Sequence, residues 1–154
     1  MNQIPSFKYR LVNALIMNIP IALSISLAAQ LLATGKVNIK LLLINFGLAY
    51  LISLVVGLFI PCVPWGIAFA GLFKAKPGSL PFGLLLNVVV NFVYVLVNSI
   101  ILTWFNICIM NHGPIQAVPF GILSTFIPLY IVGYIVSFLW NKPAENITHA
   151  IVGE

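Results

Sequence analysis

The chain has 154 residues, of which 62% are hydrophobic and only 6% charged, and its mean hydropathy is +1.14. A soluble domain carries about a quarter of its residues as Asp, Glu, Lys and Arg, so the composition excludes a water-soluble globule and implies a polytopic membrane protein. The formal charge of +5 comes from residues outside the centres of the apolar runs. That placement suits lipid headgroups and a topology signal, and without a basic, aromatic-studded surface it excludes nucleic acid as a partner.

Lys8 and Arg10 precede an apolar stretch in the manner of a signal-peptide n-region. The run 11–33 is too long for an h-region, however, and reads as a first transmembrane helix. Asn18, Ala22, Ser26, Ala29 and Ala33 fall within about 80° of one another on a helical wheel. Such small residues let two backbones approach closely, and the amide and hydroxyl can bond across the contact. Pro20 removes a backbone donor and leaves the Ile16 carbonyl without its partner, a site for a bend.

Residues 35–38 make a tight connection to a second helix, 39–61. Here Asn45, Ala49, Ser53 and Gly57 recur at four-residue spacing as another small-residue ridge. Pro61 and Pro64 interrupt the run, yet it stays apolar up to Lys74 and Lys76, longer than one straight ~30 Å crossing requires. The segment 65–76 is expected to lie along the interface, where Trp65, Phe69, Phe73 and the two lysines are typical anchors. Partial re-entry into the membrane is the other reading.

Residues 76–79 form the clearest turn and mark the midpoint. The third helix, 80–109, carries the densest polar feature in the chain. Asn87, Asn91, Tyr94, Asn98 and Phe105 lie within about 60° of one another on a helix turning 100° per residue. The fourth helix, 115–140, has Pro128 near its centre and Thr125, Gly133 and Ser137 on a shared side. A polar tail follows. Its Asn146-Ile147-Thr148 matches a glycosylation acceptor, but a cytoplasmic tail makes this match chance.

With four crossings, Lys8, Arg10, Lys74, Lys76 and Lys142 share one side, against Lys36 and Lys40 on the other. The excess places both termini in the cytoplasm. Cys62 and Cys108 then lie at opposite faces, too far apart for a disulfide, and read as small buried hydrophobes.

The halves 1–76 and 77–154 show internal similarity. Asn18 and Ser26 align with Asn91 and Ser99, Phe46-Gly47 with Phe120-Gly121, and Gly57 with Gly133. Trp65 and Trp140 close the second helix of each half, and Lys76-Pro77 and Lys142-Pro143 follow. Two helices per half imply a pseudo-two-fold axis along the membrane normal, with the first and third helices related across it. The arrangement resembles families of small bacterial integral membrane proteins of unknown function built from duplicated two-helix units. That resemblance implies a bacterial inner-membrane location and carries no functional residues with it.

No ionisable side chain falls in the centre of an apolar run, which argues against a carboxylate relay of the kind proton-coupled transporters use. His112 and His149 lie at opposite ends without companion ligands, so no metal or haem site is expected. A Ser or Cys nucleophile would find no intramembrane base, which argues against an enzyme. No cofactor motif is present. The asparagines remain. They either lock helices together or line a narrow path where neutral dipoles meet a solute.

The expected protein is therefore an all-α, four-helix membrane domain made of two tandem two-helix repeats. It works with the lipid bilayer and as a homodimer or small homo-oligomer. The leading function is transport or permeation of an uncharged or cationic small-molecule ligand, with Asn18, Asn87, Asn91, Tyr94 and Asn98 at the site. The alternative is a non-transporting module, such as an accessory subunit or an assembly or immunity-type factor, whose amides only join helices.

Overall fold

The computed structural model describes residues 6–153. Residues 1–5 and 154, which the single-domain reading includes, lie outside it. Among the described residues the chain is helical with no strand. It runs as α1 (Phe7–Thr34), α2 (Ile39–Phe59), α3 (Cys62–Leu72), α4 (Leu80–Trp104), a π-helical segment (Phe105–Met110), a 3-10 turn (Ile115–Ala117) and α5 (Val118–Val152). Four helical stretches are long and apolar enough to cross a membrane.

The starts and stops follow local chemistry. Ser6, Asn38 and Ser79 each accept a hydrogen bond from the backbone N–H three residues on, capping α1, α2 and α4. Gly35, with φ of 64°, ends α1 in the left-handed conformation that a side chain resists. Gln30 steadies the α1–α2 connection, its Oε1 accepting from the Asn38 N–H at 2.8 Å.

The apolar run that follows α1 is built in two pieces. Ile60 and Pro61 leave the helical conformation, and α3 begins after them. α3 packs against α4, returning alongside its first turns. Gly66 faces Leu86, and Cys62 sits in the same apolar cluster as Tyr94. The close 73–79 turn, with Lys74 N–H donating to the Gly71 carbonyl at 2.9 Å, makes the pair antiparallel. The 21 residues of α2 and 11 of α3 thus match the 25 of α4 and its 6-residue π extension.

α1 packs on α2 and α5, while α4 packs on α5, α2 and α3. The long helices therefore form a ring in the order α1, α2, α4, α5, with α1 and α4 on one diagonal. Those two meet in the middle, where Ile21 and Ile25 pack with Val95 and Leu129. The outer surface is apolar. Leu123, Ile127, Ile131, Ile135 and Leu139 of α5 are all more than half exposed, a ridge suited to lipid.

α5 runs past the expected end at Trp140 and continues through Pro143 to Val152. The extension is held by α1. Thr148, fully buried, places its hydroxyl 3.2 Å from Asn13 Oδ1 and 2.7 Å from the Ala144 carbonyl. The Tyr9 hydroxyl is 3.2 Å from His149 Nε2. Composition alone marked the segment as a tail because these partners lie at the far end of the chain.

The orphan carbonyl expected at Pro20 is satisfied from outside the helix. Trp140 Nε1–H donates to the Ile16 oxygen at 3.3 Å, and one residue earlier the Tyr50 hydroxyl donates to the Leu15 carbonyl at 3.0 Å. In hydrocarbon such a group has no water to turn to, so a neighbouring side chain must supply the bond.

Candidate functional site: an amide-rich helix with two seams

The polar stripe of α4 does not face a single space. Its first part turns toward α5. Asn87 Nδ2 donates to Ser137 Oγ at 2.9 Å and to the Tyr134 carbonyl at 3.2 Å. Asn91 Nδ2 donates to the Tyr130 carbonyl at 2.9 Å. Gly133 admits that amide, since a Cβ there would stand 2.8 Å from Asn91 Oδ1. Tyr130 and Tyr134 answer from the other side, their hydroxyls donating to the Val88 and Leu84 carbonyls at 3.0 and 3.1 Å.

The later part turns toward α2. Asn98 Nδ2 donates to Ser53 Oγ at 2.9 Å and to the Tyr94 carbonyl of its own helix. The Tyr94 hydroxyl lies over Gly57, where any Cβ would collide with it. Farther on, Asn45 and Asn106 exchange amide hydrogen bonds of 2.9 and 3.2 Å. Ala49 and Leu102 share the cluster between these bonds. Tyr94, Asn98, Leu102 and Asn106 thus oppose Gly57, Ser53, Ala49 and Asn45, both rows advancing four residues per step. Two i±4 ridges pack into one another in antiparallel register.

The drift of a four-residue row around the helix explains the split. An α-helix gains about 40° for every four residues, so a row long enough to cross the membrane swings from one neighbour to the next. The π segment then places Asn106, whose carbonyl accepts from the Asn111 backbone N–H five residues on, at 3.1 Å. Asn106 was not singled out from the sequence. Its signal is the four-residue spacing from Asn98 and Leu102, which copies the Asn45 ridge of α2.

Asn18, the proposed site residue on α1, is 1% exposed. It lies one turn from Ala22 and two from Ser26, both fully buried. No hydrogen bond joins this row to the α4 stripe among the described residues. Among the described residues, four buried side-chain atoms have no hydrogen-bond partner: Asn18 Nδ2 and Ser26 Oγ of α1, and Asn98 Oδ1 and Ser99 Oγ of α4. All come from the diagonal pair that meets at Ile21, Ile25 and Val95. A buried polar group without a partner costs about 1–3 kcal/mol, so each of the four is a local conflict.

Among the described residues, no three His, Cys, Asp or Glu side chains gather as they would around a metal ion. Comparison of the chain with known proteins finds no matching family model, curated protein or solved structure.

Proposed function

We propose that this chain is a small membrane transport or permeation protein for an uncharged or cationic small solute, with its intramembrane site between α1 and α4. The observation that carries this reading is the set of four buried, partnerless polar atoms on those two helices, beside Asn45, Asn87, Asn91 and Asn106, whose amide nitrogens are all bonded across helices. A solute passing between α1 and α4 would meet Asn18, Ser26, Asn98 and Ser99. Asn87, Asn91 and Tyr94 hold the flanking seams and set the width of the path. Pro20 and Pro128 are points where α1 and α5 can bend between states.

The same proposal includes two tandem repeats about an axis along the membrane normal. The ring order supports it, since α1 on α2 would correspond to α4 on α5. The basic residues Lys8, Arg10, Lys74, Lys76 and Lys142 support cytoplasmic ends. The resemblance to duplicated two-helix proteins supports a bacterial inner membrane. Four helices enclose little space, so a second copy is part of the working unit. Catalysis is not part of the proposal, because no ionisable base lies within reach of an intramembrane nucleophile in the sequence.

A second reading has its own observation. Asn87, Asn91 and Asn98 all donate to neighbouring helices, as they would in a non-transporting module whose amides only lock the bundle. Reconstitution into liposomes separates the two. Transport predicts solute flux above protein-free vesicles and a fall in flux in Asn98→Leu protein that still elutes as a folded species. Absence of flux for every solute, with no solute shifting the melting temperature, leaves the lock.

A further inference from the structure

We infer that the cleft at the α1–α2 connection binds the phosphate headgroup of an anionic phospholipid and holds one such lipid against the bundle. The cleft has a volume of about 410 Å³ and is lined by Gln30, Thr34, Lys36, Val37, Asn38 and Leu41. Small-molecule sites begin at about 300 Å³, so a phosphodiester and its glycerol have room.

The framework of the cleft is internally braced. Gln30, 4% exposed, clamps the connection at two points. Its Oε1 accepts from the Asn38 N–H at 2.8 Å, and its Nε2 donates to the Asn38 carbonyl at 3.3 Å. Thr34 Oγ1 lies 2.9 Å from both the Gln30 and the Lys36 carbonyls and accepts from the Lys36 N–H at 3.3 Å. Asn38 Oδ1 is engaged in capping α2, accepting from the Leu41 N–H at 3.1 Å. The side-chain oxygens of the lining are thereby occupied. What remains is donors. Among the described residues, no hydrogen bond uses the Lys36 ammonium or the Asn38 Nδ2.

An anion is the complement of that set. The formal charges at this end of the bundle are Lys36 and Lys40. Both acids of the sequence, Glu145 and Glu154, come after Trp140. Glu145 lies on the part of α5 held by Asn13, at the opposite end of α1 from Thr34. A choline headgroup would bring its own cation to Lys36 with no carboxylate to receive it. A net-negative phosphodiester brings none.

The position of the cleft identifies the source of the anion. It sits between the end of one apolar span at Thr34 and the start of the next at Ile39, in the layer where headgroups lie. Leu31 and Leu32 of α1 and Leu43 of α2, within a turn of the lining, are exposed. Acyl chains are as apolar as these leucines and can lie along them.

The test is native mass spectrometry of the full chain in detergent. The probes are phosphatidylglycerol, phosphatidylcholine with the same acyl chains, and inorganic phosphate. One phosphatidylglycerol per chain should bind at least about fivefold more tightly than phosphatidylcholine, and less so as salt rises. Lys36 is exposed, so its replacement leaves the packing intact. Lys36→Ala should abolish the preference, and Lys36→Arg, which keeps the charge, should retain it. Lys76→Ala, at the opposite end of the bundle, should leave it unchanged. Equal retention of the two lipids overturns the inference. So does a preference that survives Lys36→Ala, or one that falls as far with Lys76→Ala, the mark of a diffuse basic belt. Phosphate that binds alone and displaces the lipid makes this a free-anion site and also overturns the inference. The outcome is independent of flux.

Discussion

Asn45 of α2 and Asn106 of the π segment exchange two amide hydrogen bonds, of 2.9 and 3.2 Å, across the α2–α4 contact. Each therefore satisfies the group that would otherwise be stranded on the other. Replacing either alone with Leu is expected to destabilise the bundle by about 1–3 kcal/mol, because the remaining amide loses its partner. The double replacement should do less damage than the two singles added together, with a coupling of about 0.6–2 kcal/mol. Unfolding of the four proteins in mixed detergent by SDS titration measures the cycle.

Gly57 leaves room for the Tyr94 hydroxyl. Gly57→Ala should lower the melting temperature, since Tyr94 is partly buried against the α2–α4 cluster and must shift to make space. Tyr94→Phe removes the clashing oxygen, so the double variant Gly57→Ala/Tyr94→Phe should melt above Gly57→Ala alone. Thermal unfolding followed by size-exclusion fluorescence gives the order of the three. A double variant no better than the glycine replacement would show that another atom fills the gap.

At Gly66 the obstacle is backbone. A Cβ there would sit 2.8 Å from the Leu86 carbonyl oxygen and 3.0 Å from its Cγ. A main-chain carbonyl inside α4 cannot rotate away, so Gly66→Ala should push α3 off α4, at about 1–3 kcal/mol as for other overpacked contacts. The effect should be local. Hydrogen exchange read by mass spectrometry is expected to rise in 62–72 while 118–152 keeps its protection.

Trp140 replaces the hydrogen bond that Pro20 removes from the Ile16 carbonyl. Trp140→Phe keeps most of the ring and deletes the donor, so it should destabilise the α1–α5 contact by about 1–3 kcal/mol. Pro20→Ala restores a donor within α1. On that background the tryptophan replacement should cost less, and the difference between the two backgrounds is the measurement.

Much of this architecture was legible in the chain. Run lengths and turn residues located four apolar crossings, and the Asn45–Gly57 ridge was visible as a packing surface from its spacing. The Ile16 carbonyl that Pro20 leaves unpaired was readable too, though not the indole that answers it. The destination of the α4 amides was not readable. On a helical wheel Asn87, Asn91, Tyr94 and Asn98 look like one face, but two neighbours divide that face between them, and which neighbour takes which residue depends on how steeply the helices cross. Asn106 stood outside the wheel pattern because two four-residue steps, each drifting about 40°, carry it about 80° past Asn98. The end of α5 was obscured for a different reason. Thr148 and His149 find their partners at Asn13 and Tyr9, and no local pattern announces contacts between opposite ends of a chain.

The α2–α4 ridge pairing has a consequence for assembly. Its steps are all different: amide with amide, Ala with Leu, Ser with amide, Gly with Tyr. Sliding α2 by one turn would set Asn45 against Leu102, Ala49 against Asn98 and Ser53 against Tyr94, stranding amides and driving a ring into a helix with no glycine to receive it. Lipid chains are as apolar as leucine and cannot tell one such alignment from another. The order of the four pairs therefore works like the cuts of a key, letting two greasy helices that could stick anywhere along their length seat at one depth only.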